Sequence, residues 1–145
     1  MVENRKGMEP IKLNVTILKP VQKVWEYFTQ PEHITHWHFA TEEWKCPSAK
    51  SDLREGGRFV YRMEAKDGSF GFDYSGIFDE IVPEKHIVYT LDDDRKVHVV
   101  FNALDPGTTE INQTFEPEKK NSVEMQRDGW DKILHNFEKY AENHK

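Results

Sequence analysis

Residues 122–142 carry one broad apolar stripe, and nothing earlier in the chain matches it in length. Val123, Trp130, Ile133, Leu134, Phe137, Tyr140 and Ala141 fall on one face of a helix at 3.6 residues per turn. Ser122 stands where an N-cap belongs, and Glu124 lies in the first turn, near the positive end of the helix dipole. Gln126 and Arg127 interrupt the stripe in its first two turns. A stripe of that width has to be covered, and most of what precedes it reads as β-structure.

Ile11, Leu13, Val15 and Ile17 alternate with polar residues, the period of a half-buried strand. Pro20 suits the first turn of a helix, and Val21, Val24, Trp25 and Phe28 share one face of it until Pro31 stops it. PEHITHW reads as a second, shorter helical turn. Residues 40–46 form a weak strand, and DLREGG turns the chain. Phe59, Tyr61, Met63 and Ala65 then share a face. Asp67-Gly68 has the chemistry of a tight hairpin, and Phe70, Phe72, Tyr74, Gly76 and Phe78 continue the ring-rich face on the next strand as far as Pro83. HIVYTL, RKVHVVFNAL and TTEINQTFEP are three further strands, separated by the turns DDD (92–94) and DPG (105–107).

The order is strand, two short helices, about six antiparallel strands and a long helix, an α+β layer arrangement. The last helix covers the concave face of the sheet. A strongly curved sheet does not touch a straight helix everywhere, so a hollow lined by inward side chains is expected between them. One domain spans residues 11–145, after a polar, aperiodic N-terminus (1–10) expected to be flexible.

Composition excludes several classes. The net charge of −6 without a basic block disfavours nucleic acid and anionic membrane surfaces. No window is long and apolar enough for a membrane span or a signal peptide. Cys46 is the only cysteine, so no intrachain disulfide forms, which suits a cytoplasmic protein, expected as a monomer or weak dimer. Mean hydropathy is low, at −0.82, while aromatics make up 12% of the chain, values that a polar shell around a ring-rich interior reconciles.

Several residue groups, in order, resemble a known family: Val24-Trp25 with Pro31-Glu32 and Trp37; Asp52-Leu53-Arg54 with Gly56-Gly57 and Phe59; Asp67-Gly68; Gly76 with Glu80-Ile81 and Pro83; Phe101 with Thr108-Thr109; and Gly129-Trp130 before Ile133-Leu134. Together they are similar to the helix-grip superfamily called SRPBCC, or START-like. Within it they most resemble the AHSA-like branch named after the activator of a heat-shock chaperone's ATPase. The resemblance implies a curved sheet of about seven antiparallel strands wrapped around the last helix, often with a cavity for an apolar small molecule. It leaves open a chaperone partner and a role in stress response. The chaperone activator behind the name has an additional N-terminal domain, whereas about ten residues precede the first strand here.

The candidate site residues are Trp37, Phe39, Trp44, Tyr61, Met63, Phe72, Tyr74, Gln113, Trp130 and Phe137. Trp37, Phe39 and Trp44 either guard a cavity entrance or merely cap the core at the open end of the sheet. Tyr61 and Tyr74 carry hydroxyls that need partners once buried. Gln113 shares its face with Ile111 and Phe115; its amide bonds either backbone or a ligand, with backbone the expected partner. Gly129 costs its helix about 1 kcal/mol relative to Ala, which close packing on the sheet, or room for a ligand, would explain; close packing is the expectation. His36, His38 and Cys46 match no closed zinc spacing, so the histidines are placed near solvent and no metal is expected. His98, Arg54 and Asp92-Asp93-Asp94 read as solvated.

No G-x-S-x-G elbow, P-loop, H-E-x-x-H or dinucleotide fingerprint occurs, so no cofactor or catalytic residue is assigned. The function expected is binding of an apolar aromatic, polyketide-like or lipid molecule. The alternatives are a co-chaperone, or a cyclase or hydrolase using one cavity Tyr or His.

Overall fold

The computed structural model describes residues 9–144, so most of the N-terminus expected to be flexible lies outside the described residues. Seven strands form one antiparallel sheet: β1 (Ile11–Ile17), β2 (Trp44–Ser51), β3 (Arg58–Ala65), β4 (Gly71–Val82), β5 (His86–Leu91), β6 (Lys96–Asp105) and β7 (Thr108–Phe115). Their order is β1-β7-β6-β5-β4-β3-β2, so five successive hairpins run from β2 to β7 and β1 closes the far edge against β7. Two short helices, α1 (Val21–Thr29) and α2 (Pro31–Ile34), follow β1, and α3 (Val123–Asn143) ends the chain. This is the helix-grip α+β fold expected from the sequence.

Alternation does what periodicity implied. In β1, Ile11, Leu13, Val15 and Ile17 are buried between exposed polar neighbours. Val97, Val99 and Phe101 of β6, and Thr109, Ile111, Gln113 and Phe115 of β7, continue the buried face. Pro31 at N1 both ends α1 and starts α2, because it lacks the N–H that an α1 interior needs and a first turn does not. Tyr27, outside the apolar set read for α1, is buried against the rings of His33, Tyr140 and His144.

Two placements differ from expectation. The weak strand at 40–46 lies instead at Trp44–Ser51. It is an edge strand, and its register shifts between Lys45 and Ser48, where Pro47 sits. An edge tolerates proline and polar residues, which is why the alternation was faint. Phe70 precedes β4 rather than belonging to it and is exposed.

The curl has local causes. A second register shift, between Phe78 and Glu80, bends β4 against β5, as bulges do. Gly76 permits the crossing that accompanies it: a Cβ there would lie 2.2 Å from the Thr90 carbonyl oxygen. The helix α3 lies closest to β1. Its C-terminal half is sealed, with Phe137 and Ala141 buried and Phe137 meeting the Trp37 and Phe28 rings at 4.7 and 5.1 Å. Its N-terminal half stands further from β3–β5, and the gap between them is the cavity.

Candidate ligand cavity

The gap encloses about 230 Å³, many times what one buried water occupies. Strands supply most of its wall: Tyr61 and Met63 from β3, Phe72, Tyr74 and Phe78 from β4, Ile87 and Tyr89 from β5, and Gln113 from β7. Trp130, Ile133 and Leu134 of α3 form the opposite side. Phe28, Trp37 and His38 close one end, while Arg95, Glu118 and Gln126 lie at the charged end.

Polar groups in this apolar chamber fall into two sets. The first is satisfied within the protein. The Tyr74 and Tyr89 hydroxyls bond each other at 2.6 Å. Trp37 Nε1 donates to the Tyr27 carbonyl oxygen at 2.9 Å. Gln126, which breaks the apolar stripe, is buried but fully used. Its Oε1 accepts from Glu118 N, and its Nε2 donates to the Glu118 and Asn121 carbonyl oxygens at 3.0 and 2.9 Å, tying the preceding loop to α3. Ser122 caps the helix by accepting from Met125 N, as its position implied.

The second set faces the cavity with no protein partner. Among the described residues, neither the Gln113 amide nor the Tyr61 hydroxyl makes a hydrogen bond to protein, although the two residues are only 8% and 9% exposed. The backbone bond expected for Gln113 is therefore not formed. The inward face of β7 presents Gln113 opposite Val99 and Leu13, which offer its amide no side-chain acceptor or donor. The Trp130 indole is fixed by stacking on Phe115, with centroids 3.8 Å apart and planes 7° from parallel.

Burial governs the titratable groups here. It pushes the Tyr61, Tyr74 and Tyr89 hydroxyls well above the ordinary phenol range. It also lowers His38 to about 4. Desolvation is the largest cause in every case, so these three tyrosines and His38 are neutral near pH 7 and can donate hydrogen bonds but have little basicity.

A family match supplies the identification. The family described as Activator of Hsp90 ATPase homolog 1-like protein matches residues 19–142. The chain belongs to this family. Among solved structures similar to it, the AHSA1-like protein of Aeromonas hydrophila shares 34% identity at a TM-score of 0.81, covering 93% of this chain and 98% of that one. A protein of Cytophaga hutchinsonii shares 42% identity at 0.80, with 92% of each chain covered. A protein of Nitrosomonas europaea, at 20% identity and 0.77 over 91% and 93%, is similar in fold. No curated protein matches the chain.

Within this AHSA1-like frame, seven of the ten expected site residues, Trp37, Tyr61, Met63, Phe72, Tyr74, Gln113 and Trp130, border the cavity, and three do not. Phe137 is wholly buried beneath it. Phe39 packs on the core nearby, where its carbonyl oxygen accepts from Asn136. Trp44 lies on the edge strand, its ring 6.1 Å from those of Phe70 and Phe72. Trp37 is buried, so it forms inner wall rather than an entrance; Phe72, 41% exposed, is the rim residue.

His38, expected near solvent, is buried with its Nδ1 3.1 Å from the Met63 sulfur and its ring against Tyr61 and Tyr74. The tight turn after α2 aims it inward, a direction no alternation rule conveys. His36 is exposed and stacks on Tyr140. Among the described residues no three His, Cys, Asp or Glu side chains gather as metal ligands, and no helix is long and apolar enough to cross a membrane. Tyr89 and Arg95 were not among the expected site residues. Tyr89 shares its parity with Ile87 and Leu91, and Arg95 shares its own with Val97 and Val99, so the signal was present in both.

Proposed function

We propose that this protein binds an apolar, ring-bearing small molecule in the cavity and does not transform it. The observation that carries this reading is the unpartnered Gln113 amide and Tyr61 hydroxyl facing an apolar chamber. Both groups border open cavity space, so a bound molecule could take their hydrogen bonds in place of water. The ring-lined wall favours flat aromatic or polyketide-like bodies over branched ones, and the low basicity of its Tyr and His side chains supports carriage over catalysis. In this reading the protein is cytoplasmic and acts as a monomer or weak dimer.

The test is titration with flat aromatic compounds and lipids, followed by amide and side-chain shifts. Binding moves Tyr61, Tyr74, Gln113 and Trp130 together; a panel that leaves all four unmoved ends the proposal.

The family description favours a second reading, regulation of an Hsp90 ATPase. It predicts that the purified protein stimulates the ATPase of the Hsp90 from its own host, and an unchanged turnover rate removes it.

A further inference from the structure

Arg95 sits at one end of the cavity with an unused edge. It ends the turn after β5, where the Leu91 N–H donates to its carbonyl oxygen, and shares the inward parity of Val97 and Val99. Its side chain is only 15% exposed. Nε donates to both Asp93 carboxylate oxygens, at 3.1 and 2.8 Å. Among the described residues no protein acceptor takes a hydrogen bond from Nη1 or Nη2. The guanidinium carbon lies 6.0 Å from the centre of the Trp130 ring, and its charge acts on the Tyr74–Tyr89 hydroxyl pair.

Two acidic groups flank it, and neither uses that edge. Asp93 is 53% exposed and accepts from Arg95 Nε, so solvent screens it. Glu118 turns its oxygens to its own loop, accepting from the Lys120 and Asn121 backbone N–H groups and from Asn121 Nδ2. The remaining Nη1–Nη2 edge is planar, cationic and largely dry, the shape that two carboxylate oxygens fit side by side. From there the apolar wall leads past Trp130, Tyr74 and Tyr61 to Met63 and His38.

We propose that the ligand is an amphipathic carboxylic acid whose carboxylate seats on the free edge of Arg95 while its apolar body lies along that wall. This rests on the cavity-binding reading above and adds the chemical class of the head group. The Tyr74–Tyr89 pair supplies a further hydroxyl donor to the same head, since only one of its two protons is spent between the rings.

Biphenyl-4-carboxylic acid and its neutral carboxamide, nearly identical in shape, test the proposal by calorimetry on the wild-type protein, Arg95→Lys and Arg95→Met. Charge-assisted hydrogen bonds are about twice as strong as neutral ones, so the acid should bind roughly tenfold more tightly than the amide. Arg95→Met should abolish that preference with amide binding retained, and Arg95→Lys, which keeps the charge but loses the fork, should retain part of it. Equal wild-type affinities overturn the carboxylate anchor and leave the cavity reading standing, as does a preference that survives Arg95→Met. Failure of both compounds to perturb Tyr61, Gln113 and Trp130 at saturating concentration overturns the cavity reading and the anchor with it. Should Arg95→Met fail to fold, the wild-type comparison and Arg95→Lys still decide.

Discussion

Burial sets the protonation of His38, and burial can be titrated. Its folded pKa, about 4, lies below the ordinary 6.5. Between those values the unfolded chain binds a proton that the folded chain refuses. Stability therefore falls as pH drops through that window, by up to ~3 kcal/mol. His38→Phe should flatten the dependence of the urea midpoint on pH between 6.5 and 4; an unaltered slope would mean that His38 is not the group responsible. Two buried glutamines give opposite expectations for one substitution. Gln113→Leu removes an amide that has no protein partner, so the free protein should keep its stability or gain up to ~1 kcal/mol while losing ligand affinity. Gln126→Leu removes three bonds and orphans backbone groups of Glu118, so it should cost about 2–3 kcal/mol. Thermal melts of the two variants distinguish them directly. Residue type was legible in both cases; whether the amide is satisfied was not, because that depends on strands and loops brought together from elsewhere in the chain.

At the scale of elements, two glycines mark where the fold is tight and where it is open. The close packing expected at Gly129 is absent: a Cβ there meets nothing within 4 Å. The helix bears the entropic cost with no steric reason for it, so Gly129→Ala should stabilise α3 by ~1 kcal/mol, read as a raised denaturation midpoint. Gly76 is the reverse case. A methyl group at 2.2 Å from the Thr90 carbonyl oxygen forces β4 and β5 apart, so Gly76→Ala should destabilise by about 2 kcal/mol or more. A variant as stable as wild type would show that the sheet relaxes there freely. Both glycines look alike in sequence, each set in an amphipathic element. The difference lies in what approaches across space. The same holds for β2, whose Pro47 and lysines hid it from alternation, while β1, β3 and β5, each with one face buried, were plain from period two alone.

At the scale of the molecule, a curled sheet holds a straight helix at one end and stands away from it at the other. Any molecule that binds this folded cavity and not the unfolded chain must raise the melting temperature. At a hundred times its dissociation constant the stabilisation is ~2.7 kcal/mol, which for a chain of this size shifts the midpoint by roughly 5–10 °C. A ligand that binds without that shift does not bind at a site formed by folding. The sequence by itself determined the strand and helix order, the ring-rich face and the α+β class, because each rests on local periodicity that a half-buried surface imposes on its own residues. Only the tertiary structure decided that His38 turns inward, that Trp37 forms inner wall rather than doorway, that Phe137 packs as core rather than lining, and that Gln113, Tyr61 and Arg95 face one chamber with donors to spare. Those facts depend on how far α3 stands from β3–β5, a distance set by bulges, by Gly76 and by the packing of Phe137 and Ala141, summed over contacts far apart along the chain.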